Sequence, residues 1–439
     1  MTLHPGVLDT LGALQKQGWE EVEVFHKKGR SRTLTYSSHS LVTSMRREEG
    51  WAVRAGDRRR SFFHAATGTP DPNTVWPEAD GQGLRLPSPR PIPRWSAPSD
   101  FDASLVGEGE AQGIFEALAR ELDQEFPGAR LISGYLDDGS SESQILSSRE
   151  VVATVRHRSA VLRVEAMVMD QARRPRSVSL LLAEREARRF SPAVIARRLA
   201  DHLAVRVRGS APPRDRGEFL LAPSVASALF EALSDLWVGP QAADRVAEIV
   251  DRRGRIGSDA LTLVDDGRLP GGLLDAPVDG EGQPTRRVTL VEQGVFRQPL
   301  VAWWQTPTSP KRASGCARRP SWRALPQAGP SHLFLESDSS LGVASLLQGL
   351  RRGYYLLAVE SVPKIDFENW RFAVSVSGFA IDSGRPTGSV TGAWLVGTIP
   401  SLLHGILQVA RDRAFQMQGA GLIGSPTLHV RGLELRHRP

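Results

Sequence analysis

The sequence of 439 residues predicts an α+β fold in two domains. Strand-like segments follow one another through short turns, and few helical segments separate them, which favours antiparallel sheets with helices on one side. The chain is also too long for one simple core. We expect an N-terminal domain over 1–210 with an antiparallel sheet and helices, and a C-terminal domain over 217–439 with an antiparallel, barrel-like sheet and helices. The segment "GSAPPRDRGE" (209–218) marks the expected boundary.

The N-terminal elements begin with a short amphipathic helix that ends near Gly18. The segments "EEVEVFHK" and "SRTLTYSS" alternate as strands do, and we expect them to be joined across Lys28-Gly29. A second hairpin is expected to turn at Gly56-Asp57. Residues 69–108 are rich in Pro, Gly, Ser and Asp, which predicts a long, extended and partly mobile connection.

A second helix is predicted where Phe115, Leu118 and Leu122 share one face. Four strand-like segments come next, and a third helix follows with Ser191 as N-cap and Pro192 at its first position. These segments complete the expected N-terminal domain.

The C-terminal half is predicted to begin with a strand and the helix "VASALFEALSDLW", Val225 to Trp237. Hairpins are expected across Glu292-Gln293-Gly294 and at Ser383-Gly384, because Gly permits the positive φ of tight turns. Further helices are expected at 340–351 and 400–410, and the segment "PTLHVRGLEL" reads as a final strand.

Charge and composition narrow the classes of function. The net charge is +6, but the basic residues are dispersed and no helix-turn-helix, finger or RNP signature appears. A nucleic-acid-associated regulator therefore rests on the basic pI alone. No run of about 18 apolar residues occurs, and the N-terminus lacks the pattern of a secretory signal. With one cysteine, a cytoplasmic location is the natural expectation.

The helix at 225–237 carries a glutamate at a position that resembles a metallopeptidase helix. No two of the ten histidines lie three to five residues apart, so no helix supplies a pair of imidazole ligands. Phe230 cannot bind a metal, and one carboxylate, Asp235, does not make a site. The favoured interpretation is a core helix with Glu231 and Asp235 on its polar face.

Two other groups of residues are candidates for a catalytic role. Cys316 lies in "ASGCARRP", beside arginines that favour a thiolate, so a stand-alone hydrolase using Cys316 or a non-standard metal site stays open as an alternative. Asp279 and Glu281 lie in "VDGEGQPT", where a structural turn is the default interpretation. On residues alone, the chain shows no complete active site.

From about Gly217 onward, the order of motifs resembles the TldD/PmbA family, whose paired members process peptides in the cytoplasm. The stretches that carry the resemblance include "FLLAPSVASALFEALSDLW", "LPGGLLDAPVDGEGQPTRRVTLVEQGVFRQPLV", "SGCARR" and "FAVSVSGFAIDSGRPTGSVTGAWLVGTIPSLLHG". The N-terminal half resembles the family more loosely, through "EEVEVFHKKGRSRTLTYSSHS" and the residues that follow it.

The resemblance implies a fold, a partner and a missing metal. The family's TldD-type subunit carries a zinc-binding H-E-x-x-x-H helix and a late cysteine ligand. In this chain those positions fall on Phe230, Glu231 and Asp235, and on the cysteine-free stretch 418–426. The chain is therefore identified as a zinc-free PmbA (TldE) type subunit, without a cofactor of its own. The implied partner is a TldD-like zinc protease, and the implied substrates are unfolded or ribosomally made, modified peptides.

The candidate contacts with substrate or partner lie in the "SGCARR" loop and the acidic turn. Arg318 and Arg319 are able to grip carbonyls or a C-terminal carboxylate. The alternative interpretation is a surface loop with solvated arginines. The full set of candidates is Gly315, Cys316, Arg318, Arg319, Asp279 and Glu281.

Overall fold

A computed structural model describes residues 3–37, 40–92, 103–212, 215–306, 313–337, 340–418 and 421–437. Within these residues, the strands of the N-terminal half follow one another in two runs, with an α-helix before, between and after the runs. These elements are α1 (Pro5–Lys16), β1 (Glu21–Ser37), β2 (Ser40–Gly56), β3 (Arg60–Thr67), β4 (Gly81–Gln82), α2 (Glu108–Glu125), β5 (Arg130–Ser147), β6 (Val152–Met169), β7 (Pro175–Glu184) and α3 (Pro192–Arg208).

These seven strands form one antiparallel sheet in the order β4-β3-β2-β1-β5-β6-β7. Helices α2 and α3 pack on the sheet and on each other through a buried cluster that includes Phe115, Leu118 and Leu199. Helix α1 covers a separate cluster around Val24 and Trp51. Apolar residues at helical and strand spacing therefore account for the layering of this half.

The C-terminal half is built from shorter strands. Its elements are β8 (Glu218–Leu221), α4 (Pro223–Ala232), α5 (Ala242–Ile249), β9 (Leu263–Asp266), β10 (Arg287–Glu292), β11 (Val295–Phe296), β12 (Ala317–Arg318), β13 (Gln327–Ala328), β14 (His332–Leu335), α6 (Val343–Gly349), β15 (Arg352–Val359), β16 (Lys364–Asp366), β17 (Arg371–Asp382), β18 (Arg385–Thr398), α7 (Ile399–His404), β19 (Ile406–Val409), β20 (Ala414–Gln418), β21 (Gly421–Ser425), β22 (Leu428–Val430) and β23 (Glu434–Arg436).

Two larger sheets organise this half. One runs β11-β10-β9-β14-β21-β20, and the other runs β19-β22-β8-β15-β17-β18-β23 with β16 paired to β17. Both are mixed, because β14 pairs with β21 and β8 pairs with β15 in parallel. The predicted α+β class is confirmed, whereas the expected barrel-like closure is wrong because both sheets remain open. A large apolar cluster from both sheets and α4 forms the core.

Several local predictions are confirmed or corrected by the strand register. The hairpins at 56–57, 292–294 and 383–384 are present, and Gln293, Gly294, Ser383 and Gly384 all have positive φ. The hairpin across Lys28-Gly29 is wrong, because β1 continues through these residues and pairs with β2 along its whole length. Helix α7 ends at His404, and the predicted final strand is divided into β22 and β23.

The two halves make direct contacts. Helix α3 packs against β17 and β18, and a backbone bridge joins Ser210 to Val390. Residues 93–102 of the Pro-rich segment lie outside the described part of the chain. The domain limits of 1–210 and 217–439 stay a prediction. No helix among the described residues combines the length and the apolar character needed to cross a bilayer.

Candidate functional site

Helix α4 and the 3₁₀ turn after it hold the helical positions that the family resemblance assigns to zinc ligands. Phe230 is about 1% exposed and stacks on Trp237, with ring centroids 6.2 Å apart. Asp235 lies beyond the end of α4, in a 3₁₀ turn over Ser234–Leu236, and its carboxylate pairs with Arg245 at the surface. The two positions therefore do not face a common point as ligands would.

Strands β20 and β21 pack against α4, so the structure brings the expected late-cysteine segment beside the helix. This segment presents Leu422 and Ile423, both buried, and Ile423 shares the apolar cluster with Phe230. Residues 419 and 420 of the segment lie outside the described part. Within the described residues, no group of three His, Cys, Asp or Glu side chains is arranged to hold a metal ion. The residues around α4 do not fit zinc.

Glu231 is the remaining residue of the metallopeptidase pattern. Its side chain is partly buried, and burial raises the pKa of its carboxyl. A raised pKa is common for a carboxyl at the edge of an apolar core and does not by itself indicate catalysis.

The acidic turn lies at the junction between the two halves. The Asp279 carboxylate accepts hydrogen bonds from the backbone N–H groups of Glu281 and Gln283, each at 2.9 Å, and from that of Ala317 at 3.0 Å. Gly280 N–H donates to the Ala317 carbonyl at 2.7 Å. Asp279 therefore fixes the turn and attaches it to the "SGCARR" loop. Burial raises the pKa of Asp279, while these amides oppose the shift.

A buried ion cluster, which we define as Glu23, Arg54, Glu281 and Arg319, joins the N-terminal sheet to this turn. Arg54 donates two hydrogen bonds to Glu23, at 2.9 and 2.6 Å, and its Nη1 lies 3.6 Å from Glu281 Oε1. Arg319 donates to the Gly280 carbonyl at 2.8 Å and pairs with Glu23. Burial alone would raise the pKa of Glu23, but Arg319 and Arg54 hold it below its usual range.

Glu281 has an incomplete set of hydrogen bonds within the buried ion cluster. Its Oε2 accepts a hydrogen bond from Trp303 N–H at 3.0 Å, whereas no hydrogen-bond donor among the described residues reaches Oε1. Burial raises the pKa of Glu281 to about 7, although Arg54 opposes the shift. An ionised Glu281 is therefore costly to the folded protein near neutral pH.

We expect Glu281→Gln to change how stability depends on pH. The folded pKa lies above the ordinary value of 4.5, so the folded state keeps a proton that the unfolded state releases. The stabilising contribution is fully present below pH 4.5 and is lost as pH rises through about 7. Over this pH range, the free energy of unfolding of the unsubstituted protein should thus fall by about 1–3 kcal/mol relative to that of the variant. Urea unfolding at several pH values measures this difference. A difference independent of pH contradicts the assignment.

Gly315 and Cys316 of the "SGCARR" loop are both buried. Gly315 has φ of +68°, and a Cβ there would lie 2.2 Å from the Pro284 carbonyl oxygen, so only glycine fits. Cys316 is about 1% exposed and belongs to the main apolar cluster. Burial, with the nearby Asp279 and Asp265, raises the pKa of the Cys316 thiol. The surroundings of both residues therefore indicate a role in packing, and the Cys316 thiol stays protonated near neutral pH.

We expect Cys316 to react slowly in the folded protein. A buried, protonated thiol is a poor nucleophile, so modification by a disulfide reagent should be roughly hundredfold slower than in denaturant. With a chromogenic disulfide reagent, the absorbance of the released thiolate measures the reaction. Since the chain has one cysteine, this signal comes from Cys316 alone. Fast modification of the native chain would contradict the burial of Cys316.

Arg318 lies on a cavity of about 600 Å³ between the N-terminal sheet and the acidic turn, which we call the Arg318 cavity. Its floor comes from one face of three adjacent strands, where Lys27 lies opposite Ser143, and Ser141 lies opposite His157. Burial, then the Arg318 charge, lowers the pKa of His157 to about 3, so this imidazole is neutral.

The structure thus brings together Asp279, Glu281 and the "SGCARR" loop, which the sequence placed about 35 residues apart. The sequence prediction missed Glu23, Arg54 and His157. Glu23 and Arg54 are directly opposite each other on β1 and β2. Opposite charges on facing residues indicate an ion pair once the strand register is known. The predicted turn at Lys28-Gly29 gives a different register, in which Glu23 and Arg54 do not face each other.

A larger open cavity of about 1330 Å³ lies elsewhere in the C-terminal half, beside β8, β17 and β23. Many of its charged groups pair within the cavity wall. Glu434 pairs with Arg216 and Arg436, and Asp215 accepts a hydrogen bond from Tyr354 and pairs with Arg352. These groups need no ligand to balance them.

Comparisons with known proteins agree on one family. The family described as PmbA/TldA metallopeptidase C-terminal domain matches residues 215–437. The crystal structure of TldE from Thermococcus kodakarensis has a TM-score of 0.83 at 16% identity, and covers 98% of this chain and 100% of that one. At this identity the similarity establishes the fold.

Curated relatives match over shorter stretches. The metalloprotease TldD homolog of Haemophilus influenzae is 25% identical over 179 residues, or 39% of this chain and 36% of that protein. The corresponding homolog of Buchnera aphidicola from Acyrthosiphon pisum is 22% identical over 171 residues, or 39% of this chain and 35% of that protein. The chain thus matches about a third of the length of these relatives.

Proposed function

The chain belongs to the PmbA/TldD family, and from this premise we propose that it is a zinc-free subunit of the TldE type. In this proposal it pairs with a TldD-like zinc metalloprotease, and the heteromeric peptidase acts on unfolded or ribosomally made, modified peptides. The catalytic zinc belongs to the partner, and the complex works in the cytoplasm.

The observation that carries the proposal is the apolar filling of the expected metal position. Phe230 of α4 and Ile423 of β21 are both buried in the main apolar cluster. Neither side chain has a donor atom for zinc. A family member with this core is suited to supporting catalysis in another chain.

The contribution that we propose for this chain is to enclose and hold the substrate. A peptide in an extended conformation binds by hydrogen bonds between its main chain and a sheet edge, with little dependence on sequence. Enclosure excludes folded proteins, which fits a substrate class of unfolded peptides. The sheets are open and end in short strands such as β11, which provides such an edge.

Co-expression with a TldD-like protein from the same source tests the proposal. We expect a tagged form of this chain to copurify the untagged partner, and the complex to cleave an unstructured peptide. Replacing the glutamate of the partner's metal helix with glutamine provides a matched control, because it should abolish cleavage and leave assembly intact. Failure to copurify, or cleavage that persists in the control, would overturn the proposal.

The two alternatives gain no support from the geometry. A stand-alone hydrolase based on Cys316 requires an accessible thiolate, whereas this thiol is buried and its pKa is raised. A nucleic-acid-associated regulator requires a surface of free cations, but many arginines pair with carboxylates, such as Arg188 with Glu110 and Arg287 with Glu336. Neither is our proposal.

A further inference from the structure

The guanidinium of Arg318 makes no hydrogen bond to any residue in the described part of the chain. Its Nε and Nη2 atoms are buried without an acceptor. The negative charges that act on it are Asp265 and Asp279. Asp265 accepts a hydrogen bond from Ser331 N–H at 2.8 Å, and Asp279 is occupied by three backbone amides. These carboxylates offset part of the cost of burying the positive charge, and the Nε and Nη2 donors of Arg318 remain available.

Other polar groups on the Arg318 cavity are available in the same way. Among the described residues, no hydrogen-bond partner is found for the side chains of Lys27, His157, Ser141 or Ser143, which lie on the cavity floor. Arg319, by contrast, is held by Glu23 and Gly280. The available donors of the cavity are therefore one ammonium, one guanidinium, a neutral imidazole and two hydroxyls. The Asp279 carboxylate, which also lines the cavity, is engaged by backbone amides. This set of donors matches an anionic oxygen group.

The walls of the Arg318 cavity are apolar. Phe25, Ile145 and Val155 come from the N-terminal sheet, and Leu274 and Val278 come from the C-terminal half. Its volume of about 600 Å³ lies within the range of small-molecule sites, about 300–1,000 Å³. An inorganic anion would leave these walls without contacts. A carboxylate that carries an apolar side chain would use both the donors and the walls.

We propose that the Arg318 cavity binds the C-terminal residue of a peptide, with the carboxylate at Arg318 and Lys27 and an apolar side chain against the walls. This inference rests on the proposed function, in which the chain handles peptides. It assigns to this subunit the recognition of a free peptide end. The planar guanidinium favours a carboxylate, with which it forms two parallel hydrogen bonds.

Fluorescence anisotropy with the full chain tests this binding directly. The probe is an unstructured peptide that ends in leucine and carries its dye at the N-terminus, and the matched probe is the same peptide with a C-terminal amide. We expect the free carboxylate to bind at least about tenfold more tightly than the amide, because the amide is uncharged. Inorganic phosphate should compete poorly, since it makes no contact with the apolar walls.

Variants locate the binding within the cavity. Lys27→Gln and Arg318→Lys should each weaken binding of the carboxylate probe by roughly fivefold or more, while binding of the amide probe changes little. Arg323→Gln, a change of an exposed arginine four residues beyond the "SGCARR" loop, should leave the binding of both probes unchanged. Because Lys27→Gln does not alter a buried side chain, the test stands even if Arg318→Lys fails to fold.

Three results would overturn the inference: equal binding of the two probes, no effect of Lys27→Gln, or displacement of the peptide by phosphate at a similar concentration. The last would assign the cavity to small oxyanions. The assay uses this chain alone and needs no zinc. A negative result therefore leaves copurification and cleavage intact, whereas a failed copurification leaves the measured binding intact.

Discussion

Glu23→Ala should destabilise the folded protein by about 3–5 kcal/mol, because it leaves two buried arginines without their shared carboxylate. The side chains of Glu23, Arg54 and Arg319 are about 2%, 6% and 3% exposed. Glu281 would stay 3.6 Å from Arg54 as an ion pair without a hydrogen bond. Arg319 would keep its hydrogen bond to the Gly280 carbonyl but would lose the carboxylate that it pairs with. Chemical denaturation of the purified variant measures the loss.

Glu110→Ala is the matched control for this prediction. It also removes one glutamate from an arginine pair, with Arg188, but both side chains are substantially exposed. A loss below about 1 kcal/mol is expected there. If the two variants lose similar stability, the buried ion cluster does not hold the two halves together as described.

Phe230→Ala should cost about 3–5 kcal/mol, because it opens a cavity beside Trp237 in the main apolar cluster. Thermal unfolding measures this loss. Trp304→Ala provides a control of similar chemistry, since Trp304 is 46% exposed and its loss should cost much less. A small effect of Phe230→Ala would mean that α4 is not packed as the structure shows.

Phe230→His extends the same argument to metal binding. A histidine at this position lacks nearby ligands, because Asp235 is at the surface with Arg245, and β21 offers Leu422 and Ile423. We therefore expect lower stability without any gain in zinc affinity. Stabilisation of this variant by added zinc would contradict the description of α4.

The sequence predicted the class of fold, and local chemistry explains why. Turn residues with positive φ, such as Gly294 and Gly384, marked real hairpins. The hairpin expected across Lys28-Gly29 was wrong because these two residues resemble a turn. In the structure, β1 continues through them and pairs with β2 across its full 17 residues. The parallel pairs of β8 with β15 and β14 with β21 depend on contacts between distant segments, which periodicity does not encode.

The candidate site was predicted in part. The acidic turn and the arginine loop were both selected, and the structure places them together through Asp279 and Ala317. Their alternative interpretation as a solvated surface loop does not fit the burial of Arg319, which pairs with Glu23 across 296 residues of sequence. Such a partner is invisible without the fold, because nothing local to Glu23 marks it as part of an ion cluster.

Metal analysis of the chain purified alone, beside the copurified complex, tests the central claim most directly. The account predicts close to one zinc per complex and no tightly bound zinc in this chain by itself, because Phe230 and β21 occupy the metal position with apolar groups. Tightly bound zinc near one equivalent in the isolated chain would contradict it.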